Sequence, residues 1–545
     1  MRRRTWGRAI AATVVALSLA AGAHPASGQE QQQEQEAQQQ PLSTREGRVG
    51  APQADPLALA RARLAAADAA GALETLASAP PEVRSSAEWG HLRVHGLIDS
   101  GRLDEALSAA RAAIESDAGS SLRHVTLADA ALALGDFNLA GQSYYQGATL
   151  PPVDGRANLG LARLFQAERR LQSAQRELRA ALERRATDSR AGDLALALLP
   201  ADEIGRWYDL EASPSELLGS GVATESLAEL LEQRGDCSLT SPRRSYEIPL
   251  RQLRPRPGWD DRIGIEMRFG GAVEERVLLD TGASGLLISR SLAEAAGAER
   301  LRDTVVRGIG DEGARQAFVA RVDRISAGDV VYENCLVRVV DDEVMTGSHG
   351  GAILGIDGLW DDFLITLDIP RLRMVLEPHP PFPALPGGEP DRWRYERDLR
   401  SLEPGWAPVR LFGHYVILPA LLDEKVETYF LLDTGAWATI LSQRVADQLG
   451  VDQRESSIQI QGLSGTVEVV PEVHGDVTLM FPGVQQEHRN LKILDLDRHA
   501  RGGGVGFGGI IGYSLLRFTE LTIDGRRALV RIVPGEVRRR PTRIR

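Results

Sequence analysis

The order of apolar and polar residues divides the chain into a helical part and a strand-rich part. From residue 56 to residue 199, alanine and leucine recur at helical spacing among arginine and glutamate, which predicts amphipathic helices. From residue 246 onward, short alternating segments such as 263–269 predict β-strands. Two runs of three apolar residues, at 277–279 and 430–432, predict buried strands, and each is followed directly by Asp-Thr-Gly, a turn signal.

A repeat of 34 residues runs through the helical part. Four alanines mark this spacing: Ala72, Ala106, Ala140 and Ala174. A period of 34 with a small residue where two helices touch resembles the tetratricopeptide repeat, although the aromatic residue of the first helix is mostly missing. The resemblance implies stacked helical hairpins whose concave face could hold a protein partner. A generic helical bundle is the alternative.

The N-terminal region has the features of an export signal. Residues 1–28 combine an arginine-rich start, an apolar run and small residues at the end, which is the layout of a signal peptide. Residues 29–55 are rich in Gln and Glu and predict a disordered linker. No later segment is long and apolar enough to cross a membrane. We therefore expect a periplasmic or secreted bacterial protein.

The strand-rich part contains the same phrase twice. It reads Val-Leu-Leu-Asp-Thr-Gly-Ala at 277–283 and Phe-Leu-Leu-Asp-Thr-Gly-Ala at 430–436. The offset between the two aspartates, 433 − 280 = 153, also carries Gly297 onto Gly450. A constant offset over this length indicates a duplicated domain.

The aspartates of the two phrases, Asp280 and Asp433, are candidates for a catalytic pair. Each follows a buried strand on a sharp turn, where its side chain can face a cleft. Two related lobes can bring such carboxylates together, and like charges about 3 Å apart cannot both ionise. The pair then shares one proton, so one carboxylate acts as a base on water while the other polarises a carbonyl group.

The phrase resembles the signature of the retropepsin-like aspartic proteases. In that family an apolar-apolar-Gly strand follows the catalytic phrase and supports its turn, and here such strands end at Gly355 and Gly512. The resemblance implies a multidomain chain in which all-α repeats precede two all-β barrel lobes, at 246–378 and 406–534. The two lobes are expected to form a pepsin-like pseudodimer.

The resemblance also implies roles for the other residues of the site. Thr281 and Thr434 would brace the two turns against each other, and the aspartates would hold the attacking water without a metal or organic cofactor. The other supporting residues are Gly282, Ala283, Gly435 and Ala436. The candidates for flaps that close over the substrate are Gly308, Gly310, Gly462 and Gly465.

Two features next to the aspartates bear on pH and access. Pepsin-like enzymes have Ser or Thr where this chain has Ala283 and Ala436, and such a hydroxyl lowers the pKa of the carboxylate. Alanine therefore predicts activity at mildly acidic to near-neutral pH. Trp437 follows the second phrase where the family has a small residue. It either walls a substrate pocket or hinders the approach of the two aspartates.

Charge and cysteine content limit the partners. The net charge of −12 argues against nucleic acid as the main partner. Cys237 and Cys335 are the only cysteines, and they predict either one disulfide or two buried thiols, without the ligand spacing of a zinc site. The remaining segments are a predicted linker at 200–245, a Pro-rich linker at 379–405 and a basic tail at 535–545.

Two functions fit these features. The first is an exported aspartic endopeptidase acting on polypeptides, either with its own two lobes or with equivalent lobes paired between two chains. The second is a peptide-binding or assembly scaffold without catalysis. Serine and metal hydrolysis are disfavoured because the chain has neither a Gly-x-Ser-x-Gly nor a His-Glu-x-x-His motif.

Overall fold

The structure is a computed structural model that describes most of the helical and strand-rich parts. The described residues are 55–184, 189–208, 237–253, 262–271, 273–306, 308, 315–345, 351–379, 402–456, 460–462, 465–467 and 470–535. The predicted signal peptide, nearly all of the three predicted linkers, the basic tail and the candidate flap residue Gly310 lie outside them.

An arm of packed helices forms the N-terminal part. Its helices are α1 (Pro56–Ala65), α2 (Ala69–Ala77), α3 (Pro81–Arg84), α4 (Ala87–Asp99), α5 (Leu103–Ser116), α6 (Ser121–Ala133), α7 (Phe137–Thr149), α8 (Gly155–Ala167), α9 (Leu171–Glu183), α10 (Ser189–Leu198) and α11 (Ala201–Trp207). The last of these lies inside the segment that the sequence predicted as a linker. Among the described residues, no helix is both long and apolar enough to span a bilayer.

Four tight turns at the predicted spacing confirm the helical repeat. Ala67, Gly101, Gly135 and Arg169 all have positive φ angles, of 58°, 76°, 78° and 58°. The residue after each turn donates its N–H to a carbonyl five positions earlier, at 2.8 to 2.9 Å, so each first helix ends in a Schellman motif. The four repeat alanines are fully buried between the helices.

The edge of the arm formed by these turns, called the turn edge below, contacts the strand-rich part. The N–H of Gly506 donates to the Leu132 carbonyl at 3.2 Å, and a Cβ added to Gly135 would come within 2.6 Å of the Gly506 oxygen. Arg169 pairs with Asp361 at 3.2 Å. The arm is therefore docked on the lobes through its turns.

An aromatic cluster at the start of α7 strengthens this docking. The buried ring of Phe137 stacks on Phe412, with 5.4 Å between ring centroids, and meets Tyr429 edge-on at 4.6 Å. The Arg410 guanidinium lies 4.6 Å from the centre of the Phe137 ring and donates to the Tyr429 hydroxyl at 3.0 Å. One ring thus fills the interface between arm and lobe.

We expect Phe137→Ala to destabilise the docked arm. Truncating a buried phenylalanine costs about 3–5 kcal/mol, because apolar contacts are lost and a cavity remains. Tyr145→Ala on the same helix is the matched control, since Tyr145 is 63% exposed. Thermal unfolding followed by circular dichroism should show a much lower midpoint for Phe137→Ala alone. Equal midpoints would contradict the assigned interface.

The first lobe is a curled nine-stranded sheet with two short helices. Its strands are β1 (Ser238–Leu239), β3 (Arg251–Leu253), β4 (Arg262–Phe269), β5 (Val273–Leu279), β6 (Leu286–Ser289), β7 (Glu299–Val306), β8 (Arg315–Ala327), β9 (Val330–Val340) and β10 (Ala352–Leu354). Helices α12 (Arg290–Ala295) and α13 (Asp342–Met345) follow β6 and β9. The apolar faces of this sheet line a core continuous with the second lobe.

The second lobe repeats the arrangement with a ten-stranded sheet. Its strands are β14 (Arg410–Phe412), β15 (Tyr415–Leu422), β16 (Val426–Leu432), β17 (Ile440–Ser442), β18 (Gln453–Glu455), β21 (Pro471–Val473), β22 (Asp476–Phe481), β23 (Val484–Arg489), β24 (Lys492–Leu494) and β25 (Gly509–Ile511). A separate hairpin pairs β19 (Ile460–Gly462) with β20 (Gly465–Val467). Helices α14 (Gln443–Leu449) and α15 (Tyr513–Leu516) follow β17 and β25.

A shared six-stranded sheet joins the lobes within one chain. It contains β2 (Tyr246–Pro249), β11 (Phe363–Asp368) and β12 (Arg373–Pro378) from the first lobe, and β13 (Trp406–Pro408), β26 (Thr519–Asp524) and β27 (Leu529–Pro534) from the second. Strands β11 and β26 pair antiparallel across the boundary, with Ile365 opposite Ile523. The described chain therefore has helical repeats followed by two paired β-lobes, which confirms the predicted fold class.

Cys237 and Cys335 form a disulfide with 4.2 Å between their Cα atoms. The bond joins the residue before β1 to β9, and β1 pairs antiparallel with that strand. Of the two alternatives left open by the sequence, the structure has the disulfide. It fastens the segment that enters the first lobe to the lobe's own sheet.

Candidate active site

Each aspartate stands where a buried strand ends. Strands β5 and β16 run parallel to β10 and β25, with Leu279 opposite Leu354 and Leu432 opposite Ile511. The N–H of Asp280 donates to the Leu354 carbonyl at 2.9 Å, and the N–H of Asp433 donates to the Ile511 carbonyl at 3.0 Å. The apolar-apolar-Gly strands therefore lie behind the two turns and hold them.

Gly355 and Gly512 end these supporting strands at points of close backbone approach. A Cβ on Gly355 would lie 2.3 Å from the Ala283 oxygen, and one on Gly512 would lie 2.2 Å from the Ala438 oxygen. These distances are far below normal carbon–oxygen contacts. Glycine is thus required sterically at both positions predicted from the sequence.

The two turns are tied together by the hydroxyl groups of Thr281 and Thr434. Thr281 Oγ1 donates to the Leu432 carbonyl at 2.8 Å and accepts the Thr434 N–H at 3.0 Å. Thr434 Oγ1 donates to the Leu279 carbonyl at 2.7 Å and accepts the Thr281 N–H at 3.1 Å. Four hydrogen bonds between fully buried threonines therefore fix the relative position of the lobes.

The Asp280 and Asp433 carboxyl groups meet and share a hydrogen bond. Asp280 Oδ1 accepts the Gly282 N–H at 2.8 Å, and Asp433 Oδ1 accepts the N–H groups of Gly435 and Ala436 at 2.8 Å each. Each glycine also makes room for the opposite carboxyl group. A Cβ on Gly435 would lie 2.3 Å from Asp280 Cγ, and one on Gly282 would lie 2.7 Å from Asp433 Cγ.

The surroundings of the two carboxyl groups determine where their shared proton lies. Burial raises the pKa of Asp280 well above its ordinary range, and the charge of Asp433 raises it further. Burial also raises the pKa of Asp433, but the Ala436 N–H, the hydrogen bond from Asp280 and the Gly435 N–H oppose that rise. Asp280 therefore carries the proton and donates it to an ionised Asp433.

Trp437 does not hinder the pairing of the aspartates. Its ring packs on Tyr513, with 5.8 Å between ring centroids. The guanidinium carbons of Arg262 and Arg517 lie 6.0 Å and 5.5 Å from the Trp437 ring centre. These contacts hold the indole beside the second turn while the carboxyl groups remain in contact.

Three residues of this region were not predicted. Arg262 Nε donates to the Gly435 carbonyl at 3.0 Å, so a residue of the first lobe contacts the catalytic turn of the second. His414 reciprocates with a hydrogen bond to the Gly282 backbone, while burial lowers its pKa to about 3. Burial and the two nearby aspartates raise the pKa of Tyr415 to about 12.

The duplication contained a signal for two of these residues. Arg262 and Tyr415 are the first residues of β4 and β15, and 415 − 262 = 153, the offset of the catalytic phrases. Extending the repeat backward from the aspartates would have selected both positions. The differing residue types hid the correspondence.

Asp357 is a further unpredicted residue that supports the first turn. Its carboxylate accepts the Ser284 hydroxyl at 3.0 Å and the Gly285 N–H at 2.6 Å. Arg338 donates to the same Ser284 hydroxyl at 2.8 Å. This network holds the segment that follows Ala283, and its only sequence signal is an acid two residues after Gly355.

The described parts of the flap regions form hairpins. Strands β7 and β8 pair up to Val306 and Arg315, with Gly308 just beyond β7. In the second lobe, Gly462 pairs directly with Gly465. The tips of both hairpins, including Gly310, lie outside the described residues, so the flap role of these glycines remains a prediction.

Comparisons with known proteins agree with this geometry. Residues 265–357 and 418–515 match the family model described as aspartyl protease. Each match begins in the strand before the catalytic phrase and ends just after the supporting glycine. Both lobes are therefore of the aspartyl protease type, which confirms the resemblance drawn from the two phrases.

The solved structures include a similar protein from a fungus. The aspartic proteinase from Irpex lacteus aligns with 54% of this chain and 98% of its own, at 10% sequence identity and a TM-score of 0.33. No curated protein matches the chain.

Proposed function

We propose that this chain is an exported aspartic endopeptidase that hydrolyses peptide bonds with a water held between Asp280 and Asp433. The observation that carries the proposal is the hydrogen-bonded pair of carboxyl groups at the meeting point of two braced turns. A pair that shares one proton offers a base and an acid to the same water and carbonyl group.

In the proposed reaction, Asp433 takes a proton from the water while Asp280 donates its proton to the carbonyl oxygen of the substrate. The water oxygen bonds to the carbonyl carbon and forms a tetrahedral diol. The carbon–nitrogen bond then breaks as a proton passes from the pair to the leaving amine. The products are a carboxylic acid and an amine, and the pair ends with one proton, as it began.

The backbone donors beside the pair suit this cycle. The N–H groups of Gly435 and Ala436 stabilise the ionised form of Asp433, so the base is present before the substrate binds. The threonine brace keeps the two carboxyl groups in contact and thereby supplies part of the orientation that the reaction requires.

The proposal includes location and partners. The arginine-rich start and apolar run at 1–28 support export to the periplasm or the medium. The substrate is a polypeptide. The arm contacts the lobes through its turn edge, so a protein partner of the repeats would bind on the helical faces rather than on the turns.

The function is tested by incubating the folded chain with denatured casein across pH 4 to 8. We expect new N-termini and complete inhibition by a statine-containing peptide, which mimics the tetrahedral diol. Inhibitor binding without any cleavage would instead identify a peptide-binding scaffold. Cleavage that resists the inhibitor would contradict the aspartic mechanism.

The alanines after the catalytic glycines predict a shift in pH dependence. Ala436→Ser should add a hydroxyl donor near Asp433 and lower its pKa, which moves the acidic limb of the rate profile to lower pH. Because a hydrogen bond to a charged group is worth roughly 1.5–3 kcal/mol and one pKa unit is about 1.4 kcal/mol, we expect a shift of about one unit. Plots of kcat/KM against pH measure it.

Ala283→Ser provides the complementary measurement. Its hydroxyl should favour ionisation of Asp280 and move the alkaline limb to lower pH, since activity is lost when Asp280 gives up its proton. Ala438→Ser, two residues farther along the second turn, is the control. Unchanged profiles in both serine variants would show that these positions do not set the working pH.

A further inference from the structure

The arm contains a cluster of metal-binding residue types that the proposed reaction does not use. His91 and His95 lie one turn apart on α4, and Asp129 lies on the facing helix α6. One ligand atom from each residue lies within 4.8 Å of the other two. We propose that His91, His95 and Asp129 bind one divalent transition-metal ion of the zinc class.

Two of the ligands already stand at nearly the spacing that an ion requires. Zinc binds imidazole nitrogen and carboxylate oxygen at about 2.0–2.2 Å, so neighbouring ligand atoms of a tetrahedral site lie roughly 3.4 Å apart. His95 Nε2 and Asp129 Oδ2 are separated by 2.9 Å. An ion between them needs only a slight separation of these atoms, and His91 must move inward by about 1 Å.

Hydrogen bonding sets the tautomer of His91. Thr126 Oγ1 donates its proton to the Leu122 carbonyl at 2.8 Å, so it can only accept from His91 Nδ1, which lies 3.1 Å away. The neutral His91 ring therefore carries its lone pair on Nε2. A histidine whose other nitrogen is fixed by a hydrogen bond is the usual arrangement at protein metal sites.

Asp129 is oriented in the same way. The Tyr144 hydroxyl donates to Asp129 Oδ1, which leaves Oδ2 directed at His95. Both carboxylate and tyrosine are buried, whereas the His95 side chain is 16% exposed. The ion and a water molecule as fourth ligand would enter from the His95 side.

The charges around the cluster favour an ion that prefers imidazole. Arg156 is bridged to Glu88 at 3.0 Å and Asp154 at 2.8 Å, so its charge is locally compensated. Arg190 acts electrostatically on Asp129. With one carboxylate and a cationic neighbour, the site lacks the several oxygen ligands that calcium or magnesium requires. Zinc, cobalt, nickel and copper accept two imidazoles and one carboxylate.

The position of the cluster indicates what the ion would do. Asp129 follows His95 by 129 − 95 = 34 residues, so the two occupy the same place in successive repeats. An ion there joins the first helices of two adjacent hairpins, and it stabilises the arm because it binds only the folded form. The sequence analysis missed the site because it searched for ligands at short spacing.

The test uses the full chain without an affinity tag, stripped with a chelator and titrated with Zn²⁺ and then Co²⁺. We expect one ion per chain, a higher thermal midpoint, and visible Co²⁺ absorption typical of nitrogen and oxygen ligands. His95→Gln and Asp129→Asn should each weaken binding at least about 100-fold. His124→Gln is the matched control, because His124 lies on α6 with its ring bonded to the Ala118 carbonyl.

Equal Zn²⁺ affinity in the wild type and in both ligand variants would overturn the proposal, as would the lack of stoichiometric binding. Should a variant fail to fold, the wild type still decides. Its Co²⁺ form should show paramagnetically shifted ring N–H protons from two histidines, and their absence would place the ion elsewhere. Neither result depends on proteolytic activity.

Discussion

Asp280→Asn should abolish peptide hydrolysis, lowering kcat/KM by at least about 10³-fold, and Asp433→Asn should do the same. In the first variant the acid that protonates the carbonyl oxygen is lost. In the second the base that takes the proton from water is lost. Because both groups act on one water, the double variant should be no worse than either single variant.

The stability of Asp280→Asn should change in the opposite direction to its activity. A carboxyl group whose folded pKa is raised stabilises the protein least at high pH, because the unfolded chain ionises more easily. Stability is therefore lost as the pH rises above the unfolded value of about 3.9. Asparagine cannot ionise, yet its amide can still donate to Asp433, so we expect a higher thermal midpoint at pH 7.

Asp368→Asn is the control for this stability effect. Hydrogen bonds from Arg373 and Arg371 overcome burial and lower the pKa of Asp368, so its ionised form stabilises the fold at pH 7 and loses that effect toward acid pH. This variant should have a lower midpoint. An inactive Asp280→Asn that is also less stable would leave misfolding as the cause and contradict the assigned pair.

The sequence was sufficient for the dyad because its evidence is local and doubled. Each phrase combines a buried strand, an acid and a glycine turn, and one offset of 153 relates the two copies. The same logic recovers the helical hairpins, since the left-handed turn at Gly135 recurs every 34 residues. Where the chain repeats itself, pattern alone located the element and its central residues.

The docking of the arm could not be read in this way. Phe137, Arg410 and Gly506 meet only after three distant segments have folded, and each residue type is ordinary in its own context. The contact between Arg262 and Gly435 likewise joins lobes that are 173 positions apart in sequence. Such pairs leave no periodic signal, and a single sequence provides no covariation to reveal them.

Thr434→Val should separate the two catalytic turns at nearly constant side-chain volume. The Thr434 hydroxyl donates to the Leu279 carbonyl and accepts the Thr281 N–H, so valine leaves both groups without that partner in a fully buried site. Each unpaired group costs about 1–3 kcal/mol. We therefore expect the free energy of unfolding to fall by roughly 2–5 kcal/mol.

The effect on catalysis should exceed what the loss of folded protein explains. Displacement of a catalytic group by about 1 Å can lower the rate about 100-fold, so kcat should fall by this order in protein that circular dichroism shows to be folded. Thr434→Ser keeps the hydroxyl and should retain most of both quantities. Thr281→Val should match Thr434→Val, because each hydroxyl donates to one strand and accepts from the opposite turn. If Thr434→Val and Thr434→Ser had equal kcat and equal stability, the hydroxyl would not be what holds the carboxyl groups together, and the shared proton would need another support.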